Sequence, residues 1–456
     1  MNKTPSHLKN NPTLNSNLKI ERCYDSHVHL FSTGEYASAL NLKEIKKFQD
    51  LSNLKITEKN FRKHWLMGFG WNQFESFEIS QLHRKHLDSI FKDIPVSFTR
   101  VDSHSILVNT AALQELNLMN TFLNEQFGEE APLDSENKPT GFLSERAKKF
   151  FEKKIPKFTT SQLKGFLQES LNIFNSYGTT HLRDMTIETE IWNLQAQMAE
   201  QKDWTLASEH YFYCPNFEKC ESTIKEALIA QKNAPAKMRC LGLKIFIDGA
   251  LGSETAYLRE PYVGQSSRGF LLWKEKDFQE TLKLIWQANL EVAIHTIGDG
   301  STEWVLDQII SLNQNGFHGK VALEHVEILD LELIKKIKQV GATCYLQPSQ
   351  WLSDHQWLEK KLGSRVQQTF AWNLLETEKV PFFFGTDSPI EPADNLLNIK
   401  AVKEAAQKGW APTILPAAHY LSHPDPHFFG QSFSEWDENN NLVKLVFDQQ
   451  EVIKLK

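Results

Sequence analysis

The sequence predicts an α/β fold, a distorted (β/α)8 TIM barrel carrying a large insertion after its first strand. Three observations lead there. From about Phe158 onward, short runs rich in β-branched and aromatic residues alternate with stretches whose apolar positions recur at helical spacing, the pattern of βα units around a parallel sheet. With a further run near residue 25, the strand candidates number eight, which favours a closed barrel over an open sheet. His27, His29, Lys244, His295, His325 and Asp387 each sit in or at the end of such an apolar run, in the order in which successive barrel strands would deliver side chains to one rim.

Taken in order, the first strand is residues 23–28, preceded by a polar, Asn- and Ser-rich segment, 1–20, that reads as a disordered tail. Residues 31–157 are far more than one crossover helix requires and form an insertion. Within it, 42–51 and 81–91 have helical spacing, 95–101 is β-like, and 124–138 is an acidic, Gly- and Pro-containing surface loop. Insertions at strand carboxyl ends sit over a barrel's site, so this one is expected to form a wall or lid. The barrel resumes over 158–410, with strands at 180–183, 207–213, 243–247, 290–294, 321–324, 342–346 and 381–385. Helices are expected at 163–177, 192–201, 218–231, 278–288, 302–312, 331–339 and 369–378. In the extension 411–456, the segment 412–433 is Pro- and His-rich and irregular. Residues 442–447 and 451–455, joined by Asp448-Gln449-Gln450, read as a β-hairpin.

Composition excludes several classes of function. The chain has 456 residues and a formal net charge of −7, with no basic block interleaved with aromatics, so nucleic acid is not an expected partner. Five scattered cysteines without CxxC spacing suggest neither a disulfide framework nor a thiolate zinc site. The amino terminus lacks the apolar core of a signal peptide and no segment is apolar enough to span a bilayer. A soluble, cytoplasmic protein acting on a small molecule is the expectation.

Six side chains carry the chemistry. His27 and His29 are two apart on a strand, so both imidazoles face one side and can grip one ion. His295 and His325 each end a strand, and Asp387 follows the run Phe382-Phe383-Phe384-Gly385-Thr386, whose closing carboxylate lies at the rim. Without the histidines, Asp387 would read as a helix cap before Pro389. Asp25, just before the histidine pair, could fix an imidazole tautomer from behind. Lys244 lies inside Leu241-Gly242-Leu243-Lys244-Ile245-Phe246-Ile247, where a buried ammonium is costly unless paired or chemically changed. A salt bridge to a barrel carboxylate answers that cost; so does a pKa depressed until the neutral amine takes up carbon dioxide as a carbamate.

The motifs DSHVH (25–29), GWNQ (70–73), PVSFTRVDSHSILVNTAAL (95–113), GFLSERA (141–147), LKIFIDGALGSETAYLREPY (243–262), VAIHTIGDG (292–300), ALEHVEIL (322–329) and FFFGTDSPIEP (382–392) occur in this order. In that order the chain resembles the YtcJ-like branch of the amidohydrolase superfamily, relatives of the N-substituted formamide deformylases. The resemblance covers roughly residues 20–400. It implies that His27 with His29 hold one ion and His295 with His325 the other, that Lys244 bridges them as a carbamate, and that Asp387 activates the water. Such proteins usually begin with several strands of a small β-sandwich. Here only a short polar segment stands there, so a reduced sandwich remnant is expected around the carboxyl-terminal hairpin, and an uncovered barrel flank would suit a homodimer. The group's GWDQ reads GWNQ, with Asn72, and its GSDAP reads GTDSP.

The chemistry implied is hydrolysis of an amide-type C–N bond by a water activated between two divalent ions, expected to be Zn2+, with Asp387 passing the proton to the leaving nitrogen. Iron and manganese suit the same ligand types. Substrate contacts are expected from Trp71, Asp102, His104, Glu145, Asp299 and Gln347. Each has a plainer role available: Trp71 a packed aromatic, His104 a loop histidine, Glu145 a solvated helix residue, Asp299 a helix cap. Two other readings are kept. A metal phosphoesterase would need basic groups at the rim, for which Arg183 and Arg259 are the candidates. A non-catalytic binding barrel would be expected to have lost a ligand.

Overall fold

The computed structural model describes residues 18–43, 45–71, 83–101, 105–410 and 415–454. All eight predicted strands join one sheet in chain order: Tyr24–Val28, His181–Ile187, Ala207–Tyr213, Met238–Phe246, Glu291–Thr296, Val321–His325, Thr343–Leu346 and Phe382–Phe384. Every neighbouring pair is parallel. The barrel closes where the Asp387 N–H donates to the His27 carbonyl at 2.7 Å and the His29 N–H to the Ser388 carbonyl at 2.8 Å. Closure needs a backbone approach that only glycine permits, since a Cβ on Gly385 would lie 2.4 Å from the His27 nitrogen.

Helices fall on most of the predicted stretches: Thr160–Ser176, Thr189–Ala199, Phe217–Lys232, Glu275–Gln287, Asp299–Gln314 and Leu331–Val340. Their ends obey local rules. Asp330 accepts the Leu333 N–H at 2.9 Å as an N-cap, and Gly341, at φ +68°, closes the same helix in the left-handed conformation. The expected helix 369–378 is shorter, Trp372–Thr377, because Phe370 sits at φ +54° and breaks the helical run. A helix at Leu396–Gln407, past the last strand, was not anticipated.

Two compact units divide the chain: Met1–Leu30 with Leu171–Lys456, and Phe31–Ser170. The division falls at residue 170 rather than 157. Within the second unit Phe166 packs on Phe31 and Phe158, at ring separations of 5.9 and 4.9 Å, which ties the start of that helix to the insertion. The insertion is more β-rich than its sequence pattern suggests. Trp65–Trp71 stands between Leu40–Asn41 and Val96–Arg100, followed in the sheet by Ser105–Val108 and Phe142–Ser144, with Phe61–Arg62 paired beside Trp65–Trp71. The helix expected at 42–51 is absent: Leu42 donates its N–H to the Phe69 carbonyl at the sheet edge, and only a 3-10 turn, Phe48–Asn53, follows. The surface loop expected at 124–138 is entered by a helix, Phe122–Phe127, before Asp134 turns the chain by accepting the Glu136 and Lys138 N–H groups, each at 2.9 Å.

A separate four-stranded antiparallel sheet, ordered Leu18–Glu21, Phe433–Trp436, Leu442–Phe447 and Gln450–Lys454, is the reduced sandwich. The hairpin is present, turning through Asp448 and Gln449 at φ +45° and +67°. Residues 18–20 are therefore strand rather than tail, because Ile20 buries its side chain in register with Ser434. The strand Phe433–Trp436 follows directly on the segment read as irregular. Among the described residues no helix is long and apolar enough to cross a membrane, and all five cysteines are free and buried.

Candidate metal centre

At the carboxyl-terminal mouth of the barrel, alternation along the first strand turns His27 and His29 to one side. His27 is held from behind: its Nδ1 lies 2.6 Å from Glu324 Oε2, and Arg183 donates to the other oxygen of that carboxylate at 2.8 Å. A carboxylate only accepts, so Nδ1 carries the proton and Nε2 keeps its lone pair. That lone pair faces Asp387 Oδ1 at 3.4 Å, while His29 Nε2 lies 3.3 Å from the same oxygen and its Nδ1 contacts Thr186 Oγ1 at 2.9 Å. Burial and the nearby Lys244 ammonium hold His27 below its ordinary pKa, so it is neutral. Burial alone would raise Asp387; positive charge on its neighbours, His27 and His29 when protonated and Lys244, outweighs it and leaves the carboxyl below the usual range.

Two acceptors facing one another across 3.4 Å repel unless a cation lies between them. The three ligand atoms of His27, His29 and Asp387 lie within 4.8 Å of one another. Two ligands each about 2.0–2.2 Å from a tetrahedral ion stand roughly 3.3–3.5 Å apart, the spacing seen here. The donor set fits a divalent metal.

His325 closes the other side, its ring 4.8 Å from that of His27 and 4.5 Å from that of His295. His295 Nε2 donates to the Gly249 carbonyl at 3.1 Å, which leaves Nδ1 as the lone-pair nitrogen. Nδ1 of His295, Nδ1 of His325 and Nζ of Lys244 are all buried without a hydrogen-bond partner among the described residues. Burial, then the Lys244 ammonium, lowers His295 to about 3; burial and the neighbouring His295 and His27 imidazoles push His325 well down. Lys244, fully buried, has no carboxylate within salt-bridge distance among the described residues, and burial pushes it down to about 8. Three buried nitrogens without partners stand around one mouth and could serve a cation as donors. His325 and Asp387 sit at φ +71° and +58°, costly for residues with a Cβ and tolerated where a site requires it.

The amidohydrolase family model matches residues 24–403. The chain belongs to the amidohydrolase family. It is 30% identical over 397 residues to YtcJ of Bacillus subtilis (strain 168), an amidohydrolase by name, covering 85% of this chain and 74% of that one. Its fold resembles that of an uncharacterized metal-dependent hydrolase from Pyrococcus horikoshii OT3, at TM-score 0.69 and 23% identity over 89% of this chain and 78% of the other. A second such hydrolase, from Pyrococcus furiosus, gives TM-score 0.66 and 26% identity over 85% and 77%. As a member of that family this chain is a metal-dependent hydrolase.

Several residues of this amidohydrolase's site were not singled out from sequence. Glu324, held near pKa 2 because Arg183, His27 and Lys244 outweigh its burial, anchors His27. Asp248, pushed up to about 6 by burial, accepts the N–H groups of Tyr257, Ile297 and Gly298 and the Ser301 hydroxyl, fixing the loops beside His295. Gln350 donates to Asp387 Oδ2 at 3.1 Å. A signal for Glu324 was present: a charge inside Val321-Ala322-Leu323-Glu324 poses the same burial problem as Lys244. Asp25 takes a different part from the one expected. It accepts the Thr386 N–H at 2.8 Å and hydroxyl at 2.7 Å, pinning the strand end that carries Asp387 and not an imidazole.

The expected substrate contacts divide. Gln347 is buried beside His325 and donates its amide to the Tyr345 carbonyl at 3.2 Å. Asp299 opens a helix, with Gly298 rather than itself as the cap, and accepts the Arg259 N–H at 3.0 Å, tying down a loop. Trp71 packs in the core of the second unit and donates its indole N–H to the Phe98 carbonyl at 2.8 Å, while Glu145 is exposed in the first turn of a helix there. Asp102 and His104 lie outside the described residues. The phosphate reading loses both its cations: Arg183 is buried on Glu324, stacked between the Tyr211 and Tyr345 rings, and Arg259 is paired with Glu303 and Asp330.

Proposed function

We infer that this chain hydrolyses an amide-type C–N bond of a small molecule, at a centre in which His27, His29 and Asp387 hold one divalent ion and His295 and His325 a second. The observation that supports it is the convergence of a buried neutral imidazole and a carboxylate oxygen across 3.4 Å, with three more unpartnered nitrogens around them. When bound, such ions, zinc by ligand type, would supply Lewis-acid activation of a water and of the scissile carbonyl. Asp387, kept ionised and oriented by the Gln350 amide on Oδ2, would take the proton from the attacking water and return it to the departing nitrogen. Lys244, lowered to about 8 by burial, would supply a neutral-amine fraction able to add to carbon dioxide, forming an N–C bond with loss of one proton, and the resulting carbamate would offer an anionic oxygen ligand. The Arg183–Glu324–His27 chain presents Nε2 of His27 outward in a single tautomer.

Metal analysis with a panel of N-acyl, N-formyl and cyclic amides tests this reading. Two equivalents of zinc, the added mass of carbon dioxide on Lys244, and turnover of at least one amide are expected. Turnover of esters or phosphodiesters while every amide fails would overturn the bond assignment.

A further inference from the structure

Arg183 makes fewer hydrogen bonds to Glu324 than a guanidinium can. Its Nη1 donates to Glu324 Oε1 at 2.8 Å and to the Ser26 carbonyl at 3.3 Å, whereas Nε and Nη2 are buried without a hydrogen-bond partner among the described residues. A planar guanidinium on a carboxylate gains most by taking both oxygens through two parallel N–H groups. Here Oε2 belongs to His27, whose Nδ1 lies 2.6 Å away. The carboxylate is divided between two donors, and the one able to take both oxygens takes only one. Hydrogen bonding does not account for that restraint, because it leaves two buried nitrogens of Arg183 unmet.

The aromatic rings around Arg183 do account for it. Tyr345, from the seventh strand, has its ring centre 3.7 Å from the guanidinium carbon, and Tyr211, from the third strand, has its own at 4.4 Å. A weakly hydrated cation sits well on such faces, and the attraction grows where water is excluded, as around the fully buried Arg183. Both rings are themselves held in place. Tyr211 donates its hydroxyl to Glu291 Oε2 at 2.9 Å, and Tyr345 stacks on Phe383 at 5.9 Å between ring centres. We propose that Tyr211 and Tyr345 are positioning residues for the metal centre: they hold the guanidinium where a single nitrogen reaches Glu324, and so keep the second oxygen for His27. The proposal rests on the metal-centre reading for its consequence, since His27 offers Nε2 to an ion in one tautomer only while Nδ1 stays on Glu324.

The test varies the ring at position 345 in the full-length protein: Tyr345→Phe, then phenylalanines carrying one, two and three ring fluorines, then Tyr345→Leu. Fluorine drains the negative face of the ring while nearly keeping its shape, so the series separates cation–π attraction from packing. Two quantities are read. One is the low-field proton signal of His27 Nδ1–H in zinc-free protein labelled with 15N-histidine, assigned by its loss in His27→Asn. The other is the zinc Kd. Tyr345→Phe should keep the signal and hold the Kd within about twofold, each fluorine should weaken both, and the trifluoro ring and Tyr345→Leu should raise the Kd by about tenfold.

A signal and a Kd that stay flat across the fluorinated series would overturn the proposal, because ring electrostatics would then play no part in dividing Glu324. A full loss already in Tyr345→Phe would overturn it too, by making the hydroxyl rather than the ring face the holding group. Should Tyr345→Leu fail to fold, the fluorinated rings, which keep the volume, decide alone. If the unmodified protein takes up no zinc while the His27 signal still follows the series, the metal reading falls and the clamp stands. Zinc uptake with an unresponsive signal removes the clamp and leaves the metal reading.

Discussion

At the scale of single residues, the centre depends on groups that hold the ligands as much as on the ligands. Glu324 is shared between His27 and Arg183, all three almost wholly buried. Glu324→Gln should weaken zinc binding by roughly 10–100-fold, because His27 loses the anion that sets its tautomer. It should also cost about 3–5 kcal/mol of stability, since Arg183 is left buried without its counter-charge. Metal titration and denaturant unfolding read the two effects separately, and unchanged zinc affinity would show that His27 does not need its anchor. Asp387→Asn keeps the shape and removes the base; kcat for any amide substrate should fall by roughly 10²–10⁴. A kcat within a factor of about 3 of the wild type would move the proton transfer elsewhere. Away from the metal, His181 is buried against the Phe428 carbonyl, and burial with the nearby His423 lowers it to about 3. Its folded pKa is depressed, so the unfolded chain binds the extra proton between about 6.5 and 3. The stability this gives is complete above about 6.5 and is lost as pH falls, at up to roughly 1.4 kcal/mol per unit. Relative to His181→Asn, the unmodified protein should show the steeper loss of stability on acidification across that window.

At the scale of elements, the barrel delivers ligands because its strands alternate faces and close. Along the fourth strand, Leu243 and Ile245 are buried on one side while Lys244 takes the other, so one register step would exchange them. Closure between the first and last strands is the narrowest point. Gly385→Ala forces a methyl against the His27 backbone and should destabilise by about 1–3 kcal/mol while weakening zinc binding. Gly165→Ala is the matched control: it sits in an exposed helix with nothing within 4 Å of its added Cβ, and should be neutral or stabilising by up to about 1 kcal/mol. If both variants melt alike, close approach at the seam is not what constrains Gly385.

At the scale of the molecule, buried unpaired nitrogens at one mouth make the metal part of the folded state's stability. Removing it with a chelator should lower the melting temperature, and zinc at about a hundred times its Kd should restore roughly 2.7 kcal/mol; an unchanged melting temperature would mean the centre is not a high-affinity site. The sequence by itself determined the barrel and singled out the six side chains proposed as ligands. Strand periodicity and the cost of burying His, Lys and Asp in apolar runs are local properties, readable from neighbours a few positions apart. The insertion's sheet was less legible, because its strands are short, with residues such as Trp65 and Ile106 turned to one core and Leu66 and Leu107 to another, so no single period stands out. Only the tertiary structure decided which groups stand behind the ligands. Glu324 meets His27 across 297 residues of chain and Gln350 meets Asp387 across 37, and the strand of residues 18–21 pairs with one more than four hundred positions later. Such pairings come from closure of the barrel and docking of chain ends, and leave no periodic mark in the sequence.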